Sequence, residues 1–297
     1  MKVAWFDSES WHQDVDSDHR IDFFNSPADI SVLDSSYDAI SICSESEVSR
    51  ELMEQVEPRK ILCRTSGYEN VDIEAANEMG TRVQNAPGYG KESVAEYNMA
   101  LILDAAKKIT WDSGLEPDED SGSRGLELKG RTLGVVGAGR IGRELLKRAA
   151  AFGMDLIAFD PYRDEEAAEE IGYEYVELEE LLEASDIVSI NCPLTESTRK
   201  LISGKEFDLM DGVVFVNVAR GGVVDTSALR DALESGSVST AALDVVEEGK
   251  FDLLNDRKDV VFTPHNAYNT EEAVRRRVEM TLDNLESEEN TVNDVKD

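Results

Sequence analysis

The chain has 297 residues, of which 41% are hydrophobic, and its 63 acidic and 30 basic side chains give a net charge of −33. Because one domain usually has ~100–200 residues, this length predicts two domains, and the periodic spacing of the apolar residues excludes a disordered acidic chain. The charge excludes nucleic acids and anionic membranes as partners, since both need a cationic face.

The acidic surplus is expected on the surface, where concentrated salt would screen its self-repulsion. We therefore predict a halophilic protein. The first ten residues, MKVAWFDSES, lack an apolar signal core, and no apolar run reaches the ~18 residues that span a bilayer, which predicts a cytoplasmic location. Cys43, Cys63 and Cys192 show no paired ligand spacing, so reduced core thiols and no metal site are expected.

The first hundred residues alternate between strand-like and helical patterns. Strands are predicted at 3–6, 30–33, 39–43 and 61–63, and helices around 48–56 and 72–79. This alternation is typical of a small parallel-sheet domain. A long helix is predicted over 92–109, and residues 111–129, which are polar and aperiodic, form an expected connector.

A glycine-rich turn follows the connector. Residues 133–136 form a short apolar strand, and Gly137, Gly139 and Gly142 then precede a helical pattern that contains Ile141. Gly137 permits a tight turn, Gly139 a close approach of the backbone to a pyrophosphate, and Gly142 close packing of helix on sheet. The helix N-terminus would favour the anionic phosphates.

A second strand, 156–159, ends on Asp160, eighteen residues after Gly142. An acid at that distance is placed to accept hydrogen bonds from the hydroxyl groups of an adenosine ribose. Its charge would repel a 2′-phosphate, so NAD is predicted in preference to NADP, although Arg163 lies nearby.

Further strands are predicted at 186–190, 213–217, 240–243 and 260–262, and a final helix at 271–285. Cys192, Arg220 and His265 each follow one of these strands. Loops beyond the carboxyl ends of parallel strands line the ligand crevice, so these residues should face the dinucleotide. There Arg220 could hold a substrate carboxylate and His265 could donate a proton.

Five segments in this order, GVVGAGRIG with Asp160, CPLTEST, NVARGGVVDTSAL, AALDVVEE and TPHNAYNTEEA, resemble the D-2-hydroxyacid dehydrogenase family. The resemblance implies an α/β fold of two Rossmann-like domains with parallel sheets, in which an NAD-binding domain, 100–268, is inserted into a flavodoxin-like substrate domain, 1–99 and 269–297. It also implies hydride transfer between NAD(H) and a 2-oxo or D-2-hydroxy acid, and a homodimer.

The resemblance assigns roles to individual residues. Arg220 would anchor the substrate, His265 would be the acid or base, and a glutamate five residues after Asp244 would support His265, but that position holds Gly249. A shortened loop favours Glu248 over Glu247 for this role, and the role could also be unfilled. The implied cofactor contacts are Arg140, Ile141, Cys192, Pro193, Thr198, Val218, Ala219 and Asp244, together with the glycine turn.

The substrate is predicted to contact the loop that contains Ser66, Gly67 and Tyr68, and also Tyr268, although both tyrosines could equally pack at a domain interface. GYENVD, NAPGYG and PHNAYNTEE look most like the D-lactate dehydrogenase branch, which implies pyruvate or a larger 2-oxo acid. Two alternatives stay open: a glyoxylate or hydroxypyruvate reductase, and an NAD-sensing corepressor-like protein. Residues 66–72 contain no basic side chain for a phosphate.

Overall fold

A computed structural model describes residues 1–7, 17–24, 33–111 and 124–293. The chain forms two compact units, Met1–Gly90 with Thr270–Asp297, and Lys91–Asn269. The first three residues of the predicted strand 30–33, and residues 112–123 of the predicted connector, lie outside the described residues. The predicted domain bounds, 1–99 with 269–297 and 100–268, remain predictions.

The described residues form strands and helices that alternate along the chain. The strands are β1 (Lys2–Trp5), β2 (Arg20–Phe23), β3 (Ala39–Ile42), β4 (Lys60–Cys63), β5 (Arg82–Gln84), β6 (Thr132–Val136), β7 (Asp155–Phe159), β8 (Glu174–Tyr175), β9 (Ile187–Ile190), β10 (Val213–Asn217), β11 (Val238–Leu243) and β12 (Val260–Phe262). The helices are α1 (Arg50–Val56), α2 (Ile73–Met79), α3 (Lys91–Lys107), α4 (Arg140–Ala151), α5 (Glu165–Ile171), α6 (Leu178–Ala184), α7 (Gly204–Phe207), α8 (Thr226–Ser235) and α9 (Glu271–Glu286).

The first unit contains a parallel sheet in the order β2-β1-β3-β4-β5. All residues of β3 and β4 are buried, Ser41 and Lys60 included, because helices cover both faces of a parallel sheet. On one face Phe6, Ile40 and Met53 share a core. On the other face Trp5 and Leu62 pack with residues of α9.

The terminal helix α9 is fixed to this sheet by a buried lysine. The Nζ atom of Lys60 donates to the carbonyl oxygens of Asn284 at 2.7 Å, Leu285 at 3.0 Å and Ser287 at 2.7 Å. These carbonyls lie at the C-terminal end of α9, where the helix leaves acceptors unsatisfied and its dipole favours a cation. Lys60 therefore caps the helix from the neighbouring sheet.

The second unit contains a seven-stranded parallel sheet in the order β12-β11-β10-β9-β6-β7-β8. Strand β6 pairs with β7 on one side and with β9 on the other, so the strand order reverses there. Such a reversal opens a crevice beyond the carboxyl ends of the strands. The predicted α/β fold with two parallel sheets is confirmed.

Candidate cofactor site and active site

The glycine turn lies between β6 and α4, at the reversal of strand order. Gly137 has a φ of +99°, and a Cβ atom there would lie 2.7 Å from the backbone nitrogen of Cys192. A Cβ on Gly142 would collide with the carbonyl oxygen of Gly137. Nothing lies within 4 Å of the position of a Cβ on Gly139. The turn is therefore tightly packed at Gly137 and Gly142 and open at Gly139.

The open side leads to the N-terminus of α4. Gly139 is its N-cap and supplies no side-chain hydrogen bond, while Arg140 is exposed and Ile141 is half-buried. The first N–H groups of this helix, together with its dipole, can therefore bind an anion such as a pyrophosphate.

Asp160, directly after β7, is held by the backbone of this turn. Its Oδ2 accepts from the Ala138 N–H at 2.9 Å and its Oδ1 accepts from the Tyr162 N–H at 2.8 Å. A carboxylate has about four acceptor positions, so two remain for ribose hydroxyl groups. Arg163 donates to Glu177 at 2.7 Å, so its guanidinium already has an acidic partner.

The loop after β9 folds on itself through Thr198. The Thr198 hydroxyl donates to the Pro193 carbonyl at 2.6 Å and accepts from the Thr195 N–H at 2.7 Å. Cys192 is buried at the start of this loop, and burial raises the pKa of its thiol to about 11. The thiol is therefore neutral near neutral pH and acts as a small apolar side chain.

The turn that presents Arg220 is shaped by Asn217, a residue that the sequence analysis did not select. Its Oδ1 accepts from the Ala219 N–H at 3.0 Å and its Nδ2 donates to the Arg220 carbonyl at 3.2 Å. Val218 is buried within the turn, and Arg220 is half-buried, with Nη1 donating to the Ala219 carbonyl at 2.9 Å. An asparagine at the end of a strand is a common turn former, and this was the available signal.

His265 has a φ of +53°, in the left-handed region that non-glycine residues rarely adopt. Its N–H donates to the carbonyl oxygens of Asp244 and Thr263, both at 3.0 Å. The ring of Tyr268 lies across it, with the ring centroids 6.0 Å apart at an interplanar angle of 86°. Asp244, Thr263 and Tyr268 thus surround His265 in the second unit.

Asp244 holds the histidine loop in place. This carboxylate is 2% exposed and accepts from the Thr263 hydroxyl at 2.6 Å, the Asn266 N–H at 2.9 Å and the Ala267 N–H at 3.1 Å. Charged acceptors make stronger hydrogen bonds than neutral ones, so the side chain fixes both flanks of His265. The sequence analysis assigned Asp244 to the cofactor but did not predict this role.

The pKa of His265 lies below its ordinary value. Although the residue is accessible to solvent, loss of hydration is the main cause, the Asp244 charge partly opposes it, and the Arg220 charge adds to it. Arg220 and His265, which the sequence placed at different strand ends, therefore lie within electrostatic range of each other.

The position at which the family resemblance implies a glutamate supporting His265 holds a glycine. Gly249, five residues after Asp244, has a φ of +71°. Glu247 is half-buried and lies 3.5 Å from the ammonium group of Lys200, whereas Glu248 is exposed. The role predicted for Glu248 remains a prediction, and the acidic group that shifts the pKa of His265 is Asp244.

A cavity of about 320 Å³ adjoins His265. Apart from Asp244, Thr263 and His265, its lining is apolar and consists of Val245, Val246, Phe251, Phe262 and Pro264. The pocket therefore presents a largely apolar wall beside His265.

The predicted substrate loop lies in the first unit. Ser66 and Tyr68 are exposed, and the Thr65 hydroxyl donates to the Gly67 carbonyl at 2.6 Å. Arg64, fully buried at the end of β4, donates to the Ser41 hydroxyl at 2.7 Å, and its guanidinium lies 4.4 Å from the centre of the Trp5 ring. Arg64 therefore anchors the start of the loop in the core of its own unit.

The described residues contain no group of three or more histidine, cysteine, aspartate or glutamate side chains that could hold a metal ion. No helix within the same ranges has the length and apolar character needed to cross a membrane.

Residues 98–267 match the family model of the D-isomer specific 2-hydroxyacid dehydrogenase, NAD binding domain. A D-3-phosphoglycerate dehydrogenase of Methanocaldococcus jannaschii is 42% identical over 80% of this chain, which spans about half (47%) of that protein. A glyoxylate reductase of Thermococcus litoralis is 40% identical over 84% of this chain and 79% of its own. The apo structure of Escherichia coli D-lactate dehydrogenase superposes with a TM-score of 0.88, at 30% identity, over 98% of this chain and 100% of that one.

Proposed function

The chain belongs to the D-isomer specific 2-hydroxyacid dehydrogenase family, and from this premise we propose that it reduces a 2-oxo acid to a D-2-hydroxy acid with NADH. The observation that carries the proposal is the geometry of the second unit, in which an open glycine turn begins α4 and Asp244 holds the loop of His265, both beyond the carboxyl ends of parallel strands.

The residues at the switch point fit a dinucleotide. The free N–H groups of α4 and the open face at Gly139 would hold the pyrophosphate, and the unused acceptor positions of Asp160 would bind the ribose hydroxyls. When bound, NADH supplies the hydride. We expect NADPH to bind more weakly because Asp160 would repel its 2′-phosphate. Cys192, Pro193, Thr198, Val218 and Ala219 remain proposed cofactor contacts.

The side chains supply the remaining chemistry. Addition of hydride to the 2-oxo carbon places negative charge on the carbonyl oxygen, which the Arg220 guanidinium would stabilise while it also holds the carboxylate. His265 would donate a proton to that oxygen, and in the reverse direction its neutral form would accept the proton. Asp244 would keep the imidazole in position, with Glu248 as a further proposed support.

The lowered pKa of His265 gives the reaction a pH dependence. Its protonated form, which reduction requires, is lost as the pH rises through a pKa that lies below the ordinary value. Reduction should therefore weaken as the pH rises through the acid range towards neutral, whereas oxidation of the hydroxy acid should strengthen over the same range.

Pyruvate or a larger apolar 2-oxo acid is the proposed substrate, with Ser66, Gly67, Tyr68 and Tyr268 as its contacts. Reduction of glyoxylate or hydroxypyruvate is the second candidate, favoured by the identity to the glyoxylate reductase of T. litoralis. A phosphorylated substrate is disfavoured because residues 66–72 contain no basic side chain.

The net charge of −33 supports three further proposals, namely a halophilic protein, a cytoplasmic location and the lack of nucleic-acid or membrane partners. A homodimer is proposed from the family resemblance. Activity measured across a series of KCl concentrations tests halophily, and full activity without added salt would exclude it. The size of the protein in the same series tests the homodimer.

The decisive experiment is a screen in concentrated KCl. NADH or NADPH oxidation is followed with pyruvate, phenylpyruvate, 2-oxoisocaproate, glyoxylate and hydroxypyruvate. We expect NADH-dependent turnover with at least one of them, and its loss in Arg220→Ala and His265→Ala. NADH binding without turnover of any substrate would favour the corepressor-like alternative instead.

A further inference from the structure

Helix α3 carries two buried polar side chains that the proposed reaction does not use. Ser93 is 5% exposed and Asn98 is fully buried. The helix begins at Lys91, the residue at which the chain passes from the first unit into the second. Both side chains form hydrogen bonds to segments that form the candidate site, and each bond lies entirely within the second unit.

Ser93 contacts the histidine loop. Its hydroxyl donates to the Ala267 carbonyl at 2.7 Å, in a buried environment. Ala267 comes two residues before Asn269, the last residue of the second unit, and Ser93 comes two residues after Lys91, the first. One hydrogen bond therefore joins the segment that enters the second unit to the segment that leaves it.

Ala267 is held at both of its polar backbone atoms. Ser93 binds its carbonyl oxygen, and Asp244 Oδ2 accepts from its N–H at 3.1 Å. Two residues earlier, His265 has a left-handed backbone. A conformation of this kind is strained and persists only where the surrounding contacts enforce it. Ser93 supplies one of these contacts.

Asn98 contacts the cofactor side. Its Nδ2 donates to the Ser189 hydroxyl at 2.9 Å and to Asn191 Oδ1 at 3.1 Å. A Cβ on Gly137 would lie 2.8 Å from the carbonyl carbon of Asn191, so this backbone lies directly behind the glycine turn. Asn98 thereby fixes the surface against which the turn packs.

We propose that α3 positions the two parts of the site separately, with Ser93 setting the histidine loop and Asn98 setting the strand end behind the glycine turn. Both are positioning residues. The kinetic part of this proposal rests on the proposed function, whereas its binding and titration parts do not.

The two contacts predict two different effects. Ser93→Ala should lower kcat about tenfold, because the buried Ala267 carbonyl would lose its hydrogen-bond donor. The Kd for NADH should stay within about twofold of the wild-type value. Asn98→Ala should raise the Kd for NADH about tenfold while kcat at saturating NADH stays within about threefold. Ser93→Thr, which keeps a hydroxyl, should restore kcat.

Ser185→Ala is the matched control. Ser185 is 6% exposed, lies in the same unit and donates to the Leu181 carbonyl at 2.6 Å, as Ser93 does to Ala267. We expect it to lower the melting temperature as much as Ser93→Ala does and to leave both kcat and the Kd for NADH unchanged.

Two measurements need no turnover. Fluorescence titration gives the Kd for NADH, and an NMR titration of the histidine C2–H signals, assigned with His265→Gln, reports the surroundings of His265, whose charged neighbours are Asp244 and Arg220. Ser93→Ala should shift the His265 titration and Asn98→Ala should not. If both variants match Ser185→Ala in all readouts, the proposal is wrong. If wild type reduces no 2-oxo acid while the titrations change as expected, only the proposed function fails.

Discussion

Asp244→Asn is the substitution that probes His265, the proposed acid or base, without replacing it. The two side chains have the same shape. The amide oxygen of asparagine can accept from the Thr263 hydroxyl and the Asn266 N–H, as Oδ1 of Asp244 does at 2.6 and 2.9 Å. Its NH2 group then faces the Ala267 N–H, which Oδ2 binds at 3.1 Å in the native protein. Two donors would meet there.

The cost follows from these contacts. One hydrogen bond to a charged acceptor, worth about 1.5–3 kcal/mol, is lost, and a buried N–H is left without a partner, while the cost of burying a charge is relieved. We expect a net loss of about 2–3 kcal/mol in the free energy of unfolding. For a unit of this size, each kcal/mol lowers the melting temperature by about 2–4 °C.

The pH dependence is the sharper test. The Asp244 charge raises the pKa of His265 against the effects of burial and of Arg220. Its removal should lower that pKa further, so the loss of reductase activity with rising pH begins at a lower pH in Asp244→Asn. The assay is kcat for 2-oxo acid reduction across pH, at saturating NADH.

Three variants provide the comparison. Asp186→Asn removes a carboxylate that binds Arg131 and the Thr132 N–H, on the same sheet, and should leave the pH profile unchanged. Glu247→Gln should also leave it unchanged, whereas Glu248→Gln should move it less than Asp244→Asn does. A profile that moves in Glu248→Gln and not in Asp244→Asn would refute the assignment to Asp244.

Three further variants test other parts of the structure. Asp160→Ala should weaken NADH binding about tenfold or more in calorimetric titration, because the ribose hydroxyl groups of NADH would lose their acceptor. NADPH binding should weaken much less. Gly137→Ala should abolish NADH binding, because Gly137 has a positive φ and its Cβ would meet Cys192, whereas Gly212→Ala, with φ +68° and open space, should not. Lys60→Met should destabilise the protein by about 2 kcal/mol in thermal unfolding, because three carbonyls lose their donor, and NADH affinity should be unchanged.

The central strands were predictable from sequence, whereas three peripheral strands were not. Strand β10 is found at the predicted residues, and β6, β7 and β9 differ from prediction by one residue at one end. Strands β2, β5 and β8, all of which are edge strands, were not predicted. An edge strand is less completely buried, so its sequence lacks the continuous apolar run that marks a central strand.

The residue types at the strand ends were predictable, but their mutual contacts were not. The topology of a parallel sheet predicts that Arg220 and His265 face one crevice, and this stays a prediction. Sequence could not reveal that Asp244 accepts three hydrogen bonds from residues 263–267, or that Ser93 binds Ala267, because these bonds join residues far apart in the chain. The sequence shows Gly249 at the position where the family resemblance implies a glutamate. It does not show that Glu247 is half-buried beside Lys200 or that Glu248 is exposed.

The most direct test of the central claim is the configuration of the reduction product. Wild type and His265→Gln are incubated with NADH and the best 2-oxo acid from the screen, and the hydroxy acid is separated on a chiral column. We predict the D enantiomer alone from wild type, and a rate about 10²–10⁴-fold lower in His265→Gln, the range expected for loss of a general acid. An L or racemic product, or an unchanged rate in His265→Gln, would contradict the account.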